Sequence, residues 1–168
     1  MRRRVLTCAV SAVLLAAGAG CDADGAGGGS CADADSAVVK QIKAGARKDF
    51  RPVLPDGRPG VQVDHLELHD ASVGELSAED RKFGAEQLLA FSVTSFLGGE
   101  DASDGFGSVE ALTLFALDGD GKLLGPADPF TASLFDLTTP SDPGWLTWGD
   151  KLVDSPLASE LFDCVDPE

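Results

Sequence analysis

Both histidines of the chain lie in one short segment, His65-Leu66-Glu67-Leu68-His69. On a β-strand, residues two apart project from the same face, so His65, Glu67 and His69 would lie in a row. Two imidazoles and a carboxylate suit Zn²⁺ or Cu²⁺. The row spans about 13 Å, whereas a metal holds each ligand at about 2 Å, so a bulge or further ligands would be needed. The segment therefore indicates an exposed strand face, with a zinc or copper site as the alternative.

Trp145 and Trp148 lie three residues apart and follow a segment with Pro140, Pro143 and Gly144. If they were exposed, the two indole rings would form a stacking platform for a sugar or a cationic ligand. If they were buried, they would belong to the core, as large aromatic side chains usually do. Both interpretations stay open, and the first makes the two tryptophans candidate ligand-binding residues.

Motifs of common enzyme classes are absent from the sequence. There is no tyrosine, no G-x-S-x-G or H-E-x-x-H motif, and no glycine loop of the kind that binds phosphate. With 28 Asp and Glu residues, some carboxylates will be neighbours by chance, so a glycosidase-type pair cannot be inferred. We therefore expect a non-catalytic protein that needs no cofactor. A pocket with two facing carboxylates would instead indicate a secreted hydrolase.

The N-terminus carries a targeting pattern: Arg2-Arg3-Arg4, an uncharged run from Val5 to Gly20, and then Cys21. The run is too short and too rich in small residues at its end to span a membrane, and it is typical of a cleaved signal. The segment Ala17-Gly18-Ala19-Gly20-Cys21 resembles the lipobox of bacterial lipoprotein precursors. The resemblance implies that residues 1–20 are a signal peptide and that Cys21 becomes the first residue, carrying diacylglycerol and palmitate. An ordinary secretory signal, which would leave a free protein, is the alternative.

Residues 21–30 would then form a lipid-anchored, Gly-rich tether that cannot bury a core. The rest of the chain, 31–168, has the usual length of one globular domain. Cys31 and Cys164 lie at its two ends, and oxidising conditions outside the cell favour a disulfide between them. We expect a protein on the extracytoplasmic face of the cell membrane, held there only through its lipid.

The chain is strongly acidic, with a formal net charge of −15. From Cys21 onward there are 10 basic and 28 acidic residues, which gives 10 − 28 = −18. Such a surface repels phosphate backbones, so we expect no nucleic-acid partner. The expected partners are the membrane, through the lipid anchor, and an unidentified protein or small-molecule ligand.

The pattern of apolar residues predicts a small α+β domain. Strands are expected over 61–70, 109–117 and 130–137, and helices over 35–49 and 78–97, packed on one side of an antiparallel sheet. A change of parity within 61–70 predicts either a bulge or a strand that is buried on both faces. Residues 88–97 fit a strand nearly as well as a helix, and a strand there would make an all-β sandwich the better fold.

Overall fold

The computed structural model describes residues 32–52, 58–98 and 107–165. Within these ranges the chain forms one five-stranded antiparallel sheet with the strand order β1-β2-β3-β4-β5. The strands are β1 (Ala32–Asp33), β2 (Val63–Glu75), β3 (Gln87–Leu97), β4 (Ser108–Leu117) and β5 (Leu123–Pro126). The helices are α1 (Ser36–Ala44), α2 (Pro129–Leu134), α3 (Trp145–Val153) and α4 (Pro156–Val165).

Several predictions concern residues outside the described ranges. These are the signal peptide over 1–20, the tether over 21–30, the lipidation of Cys21 and the participation of Cys31 in a disulfide. They stay predictions. Among the described helices, none has the length and apolar character needed to cross a membrane.

β3 is the central strand, and its side chains alternate between two buried faces. Leu88 and Ala90 lie on one face and Leu89, Phe91 and Val93 on the other, and all five are fully buried. The prediction of a helix over 78–97 is therefore wrong, and the alternative of a strand from residue 88 is confirmed. A helix buries one apolar stripe, whereas a nearly continuous apolar run with aromatic and β-branched residues can bury both faces of a strand.

Ser77 and Asp80 close a turn at the point where the predicted helix over 78–97 would begin. The Ser77 hydroxyl donates to the Asp80 carboxylate at 2.7 Å, and the backbone N–H of Asp80 donates to the Ser77 carbonyl at 3.1 Å. The turn continues to Phe83 and Gly84, whose φ angles of 56° and 81° are left-handed. Such angles end any right-handed helix, so the chain enters β3 extended.

The helices lie on both faces of the sheet. One buried cluster joins β3 and β4 to α3 and α4, through Trp145, Leu152 and Leu161. The other joins the opposite faces of the same strands to α1 and α2, through Ile42 and Leu134. The antiparallel α+β class is thus confirmed, but packing of the helices on one side is not. The described residues form one sheet and not the two sheets of a sandwich.

Two local predictions are confirmed with shifted boundaries. Asp35 caps α1, because its carboxylate accepts the backbone N–H groups of Ala37 and Val38, and the helix ends at Ala44, earlier than expected. In β2 the pairing with β3 shifts register twice, once near His65 and once between Leu68 and Ala71, which is the irregularity that the parity change predicted.

Residues 130–137, predicted as a strand, begin within the short helix α2, so that prediction is wrong. The Asp128 carboxylate accepts the backbone N–H of Thr131, and Pro129 stands at the first helical position. An N-cap aspartate followed by proline is a helix start, because proline lacks only an N–H that the first turn would leave unpaired anyway.

Candidate ligand-binding cleft

The structure does not place Trp145 and Trp148 on an exposed platform. Their exposed fractions are 1% and 6%, and their indole N–H groups donate to the carbonyls of Pro126 (2.7 Å) and Asp80 (2.8 Å). The two rings pack against each other at 5.2 Å between centroids, and Phe83 covers both. The prediction that these tryptophans bind a ligand is corrected by their burial, which leaves no indole face for stacking.

His65, Glu67 and His69 do not converge on one point. The His65 ring stacks on Phe96 at 4.5 Å between centroids and bonds the Asp64 carboxylate through Nδ1 at 2.8 Å. Glu67 approaches the other ring nitrogen of His65 only to 4.0 Å. His69 Nε2 is instead within 2.7 Å of the Thr94 hydroxyl.

No group of three metal-ligating side chains is found within the described ranges. The geometry of β2 therefore gives the zinc or copper alternative no support, and the segment is best described as an exposed strand edge. The same contacts have an electrostatic effect, because the hydrogen bond from His65 lowers the pKa of Asp64 below its ordinary value.

An apolar pocket that also contains polar groups lies between β4, α2, α3 and α4, and we call it the cleft. Its volume is about 380 Å³, within the range of small-molecule sites. Its walls are mostly apolar, with Phe130 and Val153 partly exposed at 40% and 37%. The complete lining is Leu112, Leu114, Asp128, Pro129, Phe130, Asp150, Val153 and Phe162.

Gly149 lets α3 approach the end of β5 closely, and α3 forms one wall of the cleft. A Cβ atom at this position would lie 1.7 Å from the Ala127 carbonyl oxygen, a distance that no real atom pair adopts. The close approach places Asp150, the next residue of α3, in the same cleft as Asp128, the next residue after Ala127. The missing side chain of one glycine therefore brings the two carboxylates together.

Asp128 is buried, with 5% of its surface exposed, and its carboxylate is held by Thr131. One oxygen accepts the Thr131 backbone N–H at 2.9 Å and the other accepts the Thr131 hydroxyl at 2.5 Å. That hydroxyl in turn accepts the backbone N–H of Leu114 at 3.0 Å. A continuous polar chain thus ties the start of α2 to β4 below the cleft.

Burial raises the pKa of Asp128 above 3.8, because the charged form loses its hydration. The hydrogen bonds from Thr131 act in the opposite direction, and the negative charge of Asp150 raises the pKa further. Asp150 itself is exposed at the mouth of the cleft. The cleft therefore combines a buried carboxyl that holds its proton to higher pH with an accessible carboxylate.

The raised pKa predicts how stability depends on pH. Since native Asp128 binds its proton more tightly than the unfolded chain does, the free energy of unfolding should fall as pH rises from 3.8 through the raised native value. Asp128→Asn has no proton to lose. The stability of the wild type relative to this variant should therefore decrease across that window, as measured by urea denaturation at several pH values.

The matched control for this experiment is Asp163→Asn, which changes an exposed aspartate of α4 outside the cleft. Subtracting its pH dependence removes the effect of changing net charge by one. A relative stability of Asp128→Asn that stays flat, or that changes in favour of the wild type as pH rises, would contradict the assignment.

The sequence contains one indication of this site. Asp128-Pro129 is a helix-start pattern and would have placed a carboxylate at the beginning of α2. Asp150 stands out by no pattern, because it is one of many acidic residues.

Comparisons of the chain with protein-family models, with curated proteins and with solved structures found no match.

Proposed function

We propose that the chain is a non-catalytic binding module, anchored to the extracytoplasmic face of the membrane by lipid on Cys21. The cleft then binds a small molecule, or a side chain of a partner protein, that has both apolar groups and a positive charge. The observation that carries it is one cleft of about 380 Å³ that has apolar walls and two carboxylates. No cofactor is required beyond the acyl groups on Cys21.

The charge of the ligand follows from the groups that surround it. Asp150 is exposed at the mouth of the cleft. It can therefore pair with a cation without the free-energy cost of burying an unpaired charge. An anionic ligand would meet both Asp150 and the negative field of a chain that carries −15 overall. Leu112, Val153 and Phe162 would remove apolar surface of the ligand from water. Each Å² of that surface would contribute about 25 cal/mol to the free energy of binding.

Binding is better supported than catalysis, although two carboxylates share the cleft. Both oxygens of Asp128 already accept hydrogen bonds from Thr131, so this carboxyl has a structural task at the start of α2. A general acid or base must reach a proton of the substrate, and an oxygen committed to a helix cap is poorly placed for that. The hydrolase alternative therefore has less support than a binding site.

The location of Cys164 supports the predicted disulfide with Cys31. Cys164 lies in α4, and Leu157 and Leu161 of the same helix pack over Gly74 of β2. Ala32, which directly follows Cys31, pairs with Val73, the neighbour of Gly74. A link between the two cysteines would tie the last helix to the first strand, where the tether joins the domain.

The cleft is tested with three probes of equal chain length, octylammonium, 1-octanol and octanoate, by calorimetry on the purified protein. We expect octylammonium to bind most tightly and octanoate most weakly. Asp150→Asn should weaken the binding of octylammonium about five-fold, because a partly exposed ion pair contributes roughly 1 kcal/mol. The same variant should leave the affinity for 1-octanol unchanged.

A second pair of variants separates the cleft from nonspecific adsorption. Val153→Lys places a positive charge in the cleft and should abolish the binding of octylammonium. Val109→Lys makes the same change at an exposed valine outside the cleft and should have no effect. Equal affinities for the three probes, or equal effects of the two valine variants, would refute the proposed site.

A further inference from the structure

The basic residues of the chain are concentrated in one short segment. Of the 10 basic residues from Cys21 onward, six lie between residues 40 and 58, and only two acidic residues lie there, so this segment carries +4. The remaining part carries 4 − 26 = −22. The six basic residues are Lys40, Lys43, Arg47, Lys48, Arg51 and Arg58. A chain this acidic therefore has one region of opposite charge.

Four of these residues form a strip along α1 and the turn that follows it. Lys40, Lys43, Arg47 and Lys48 are all exposed, and we call them the basic strip. Lys40 and Lys43 are three residues apart on α1, which places them on one side of the helix, and Arg47 and Lys48 follow in the turn after it. Ile42 lies on the other side, in the buried cluster. The strip thus points away from the sheet.

A shallow cavity of about 450 Å³ lies at the end of the strip, lined by Arg47, Lys48 and Phe50 among others. Asp136 also lines it, and Asp49 is the next residue after Lys48. Asp64 is a third negative charge near the strip, since the positive charge of Lys48 contributes to lowering the pKa of Asp64. The cavity offers a group such as a phosphate two cationic partners.

The basic strip and the cleft lie on opposite faces of the sheet. α1 packs on the face that carries Leu89 and Phe115, whereas the cleft is lined by Leu112 and Leu114 of the other face. A surface that contacts the strip would therefore leave the cleft open on the far side of the molecule.

We propose that the basic strip docks on anionic phospholipid head groups of the membrane that holds Cys21, so that the cleft faces away from the bilayer. This inference rests on the proposed lipid anchor. Cys21 precedes Ala32 by eleven residues, so the domain cannot be farther than about 40 Å from its membrane. Phospholipid head groups are therefore the most concentrated phosphate that the strip meets.

The overall negative charge does not prevent this docking. Salt screens charges beyond about 8 Å, so the acidic residues on the far side of the sheet act weakly on a membrane that touches α1. Each lysine or arginine close to an anionic membrane strengthens binding about five-fold. The four positive charges of the strip thus exceed the three negative charges beside it, which are Asp49, Asp64 and Asp136.

The test uses the mature protein, from Cys21 onward, purified with its native Cys21 modification and placed in vesicles. One preparation contains phosphatidylcholine alone, and the other contains equal parts of phosphatidylcholine and phosphatidylglycerol. An amine-reactive reagent labels the lysines, and mass spectrometry measures the rate at each site. We expect Lys40, Lys43 and Lys48 to react about five-fold more slowly in the anionic vesicles, with the protection lost at about 1 M salt.

Lys122 and Lys151 lie outside the strip, and their labelling rates should not depend on the lipid, which makes them internal controls. The double variant Lys43→Glu, Arg47→Glu should lose the protection of Lys40 and Lys48, whereas Lys122→Glu should keep it. Both variants change exposed side chains, so neither threatens folding.

Three outcomes distinguish a failure of the docking, of the lipid as its ligand, and of the anchor. Equal labelling in both vesicles, with acylated Cys21 present, would refute the docking and leave the anchor standing. Protection by inorganic phosphate without vesicles would replace the membrane by a free anion as the ligand. An unmodified Cys21 thiol, with protein lost from the phosphatidylcholine vesicles, would instead refute the proposed anchor.

Discussion

Gly149→Ala is expected to destabilise the protein by about 3 kcal/mol, the upper end of what overpacking usually costs. The new methyl group would lie 1.7 Å from the carbonyl oxygen and 2.4 Å from the carbonyl carbon of Ala127, so two backbone segments must separate. In an ordinary helix the same change would stabilise by about 1 kcal/mol. The sign of the effect therefore reports the close approach of α3 to β5. Urea denaturation measures it.

The control for this variant is Gly107→Ala, since a Cβ atom at Gly107 would have no neighbour within 4 Å. We expect its free energy of unfolding to stay close to that of the wild type. Gly149→Ala should also weaken octylammonium binding, because moving α3 displaces Asp150 from the cleft. If Gly149→Ala were as stable as Gly107→Ala, the packing of α3 described above would be incorrect.

Trp145→Ala is expected to cost about 3 to 5 kcal/mol, as large aromatic deletions in cores do. The ring is 1% exposed and packs on Trp148 and Phe83, so its removal leaves a cavity that its neighbours cannot fill. Trp145→Phe keeps most of the ring but loses the hydrogen bond to Pro126, and it should cost less. Thermal unfolding followed by circular dichroism ranks the variants.

Phe130→Ala provides the aromatic control, because Phe130 is 40% exposed and lines the cleft. It should change stability by less than about 1 kcal/mol while weakening the binding of the octyl probes. If Trp145→Ala lowered the free energy of unfolding by less than this limit, the tryptophan pair would not be the centre of its cluster.

Local chemistry predicted some elements well and others poorly. The start of a helix near residue 35 and the irregularity in β2 depend on neighbours in sequence, and both predictions are confirmed. Residues 88–97 fit either a helix or a strand, because apolar residues at mixed spacing satisfy both patterns. Pairing with β2 and β4 decides for the strand, and that information lies in distant parts of the chain.

The cleft could not be predicted from the sequence for the same reason. Leu112, Asp128, Asp150 and Phe162 come from four separate elements, and no spacing along the chain relates them. The tryptophans were a reasonable alternative, since indole rings serve both cores and ligand platforms. Phe83 distinguishes the two roles, because its ring packs on both indole rings and covers them. Its left-handed backbone conformation places it there.

The clustering of both tryptophans has a practical consequence for spectroscopy. The chain contains no tyrosine, so its near-ultraviolet emission comes almost entirely from Trp145 and Trp148, whose rings are 5.2 Å apart. A red shift of that emission would report water entering one defined place, the contact between α3 and the 77–84 turn. The protein thus carries its own optical probe, and local opening there can be timed without attaching a dye.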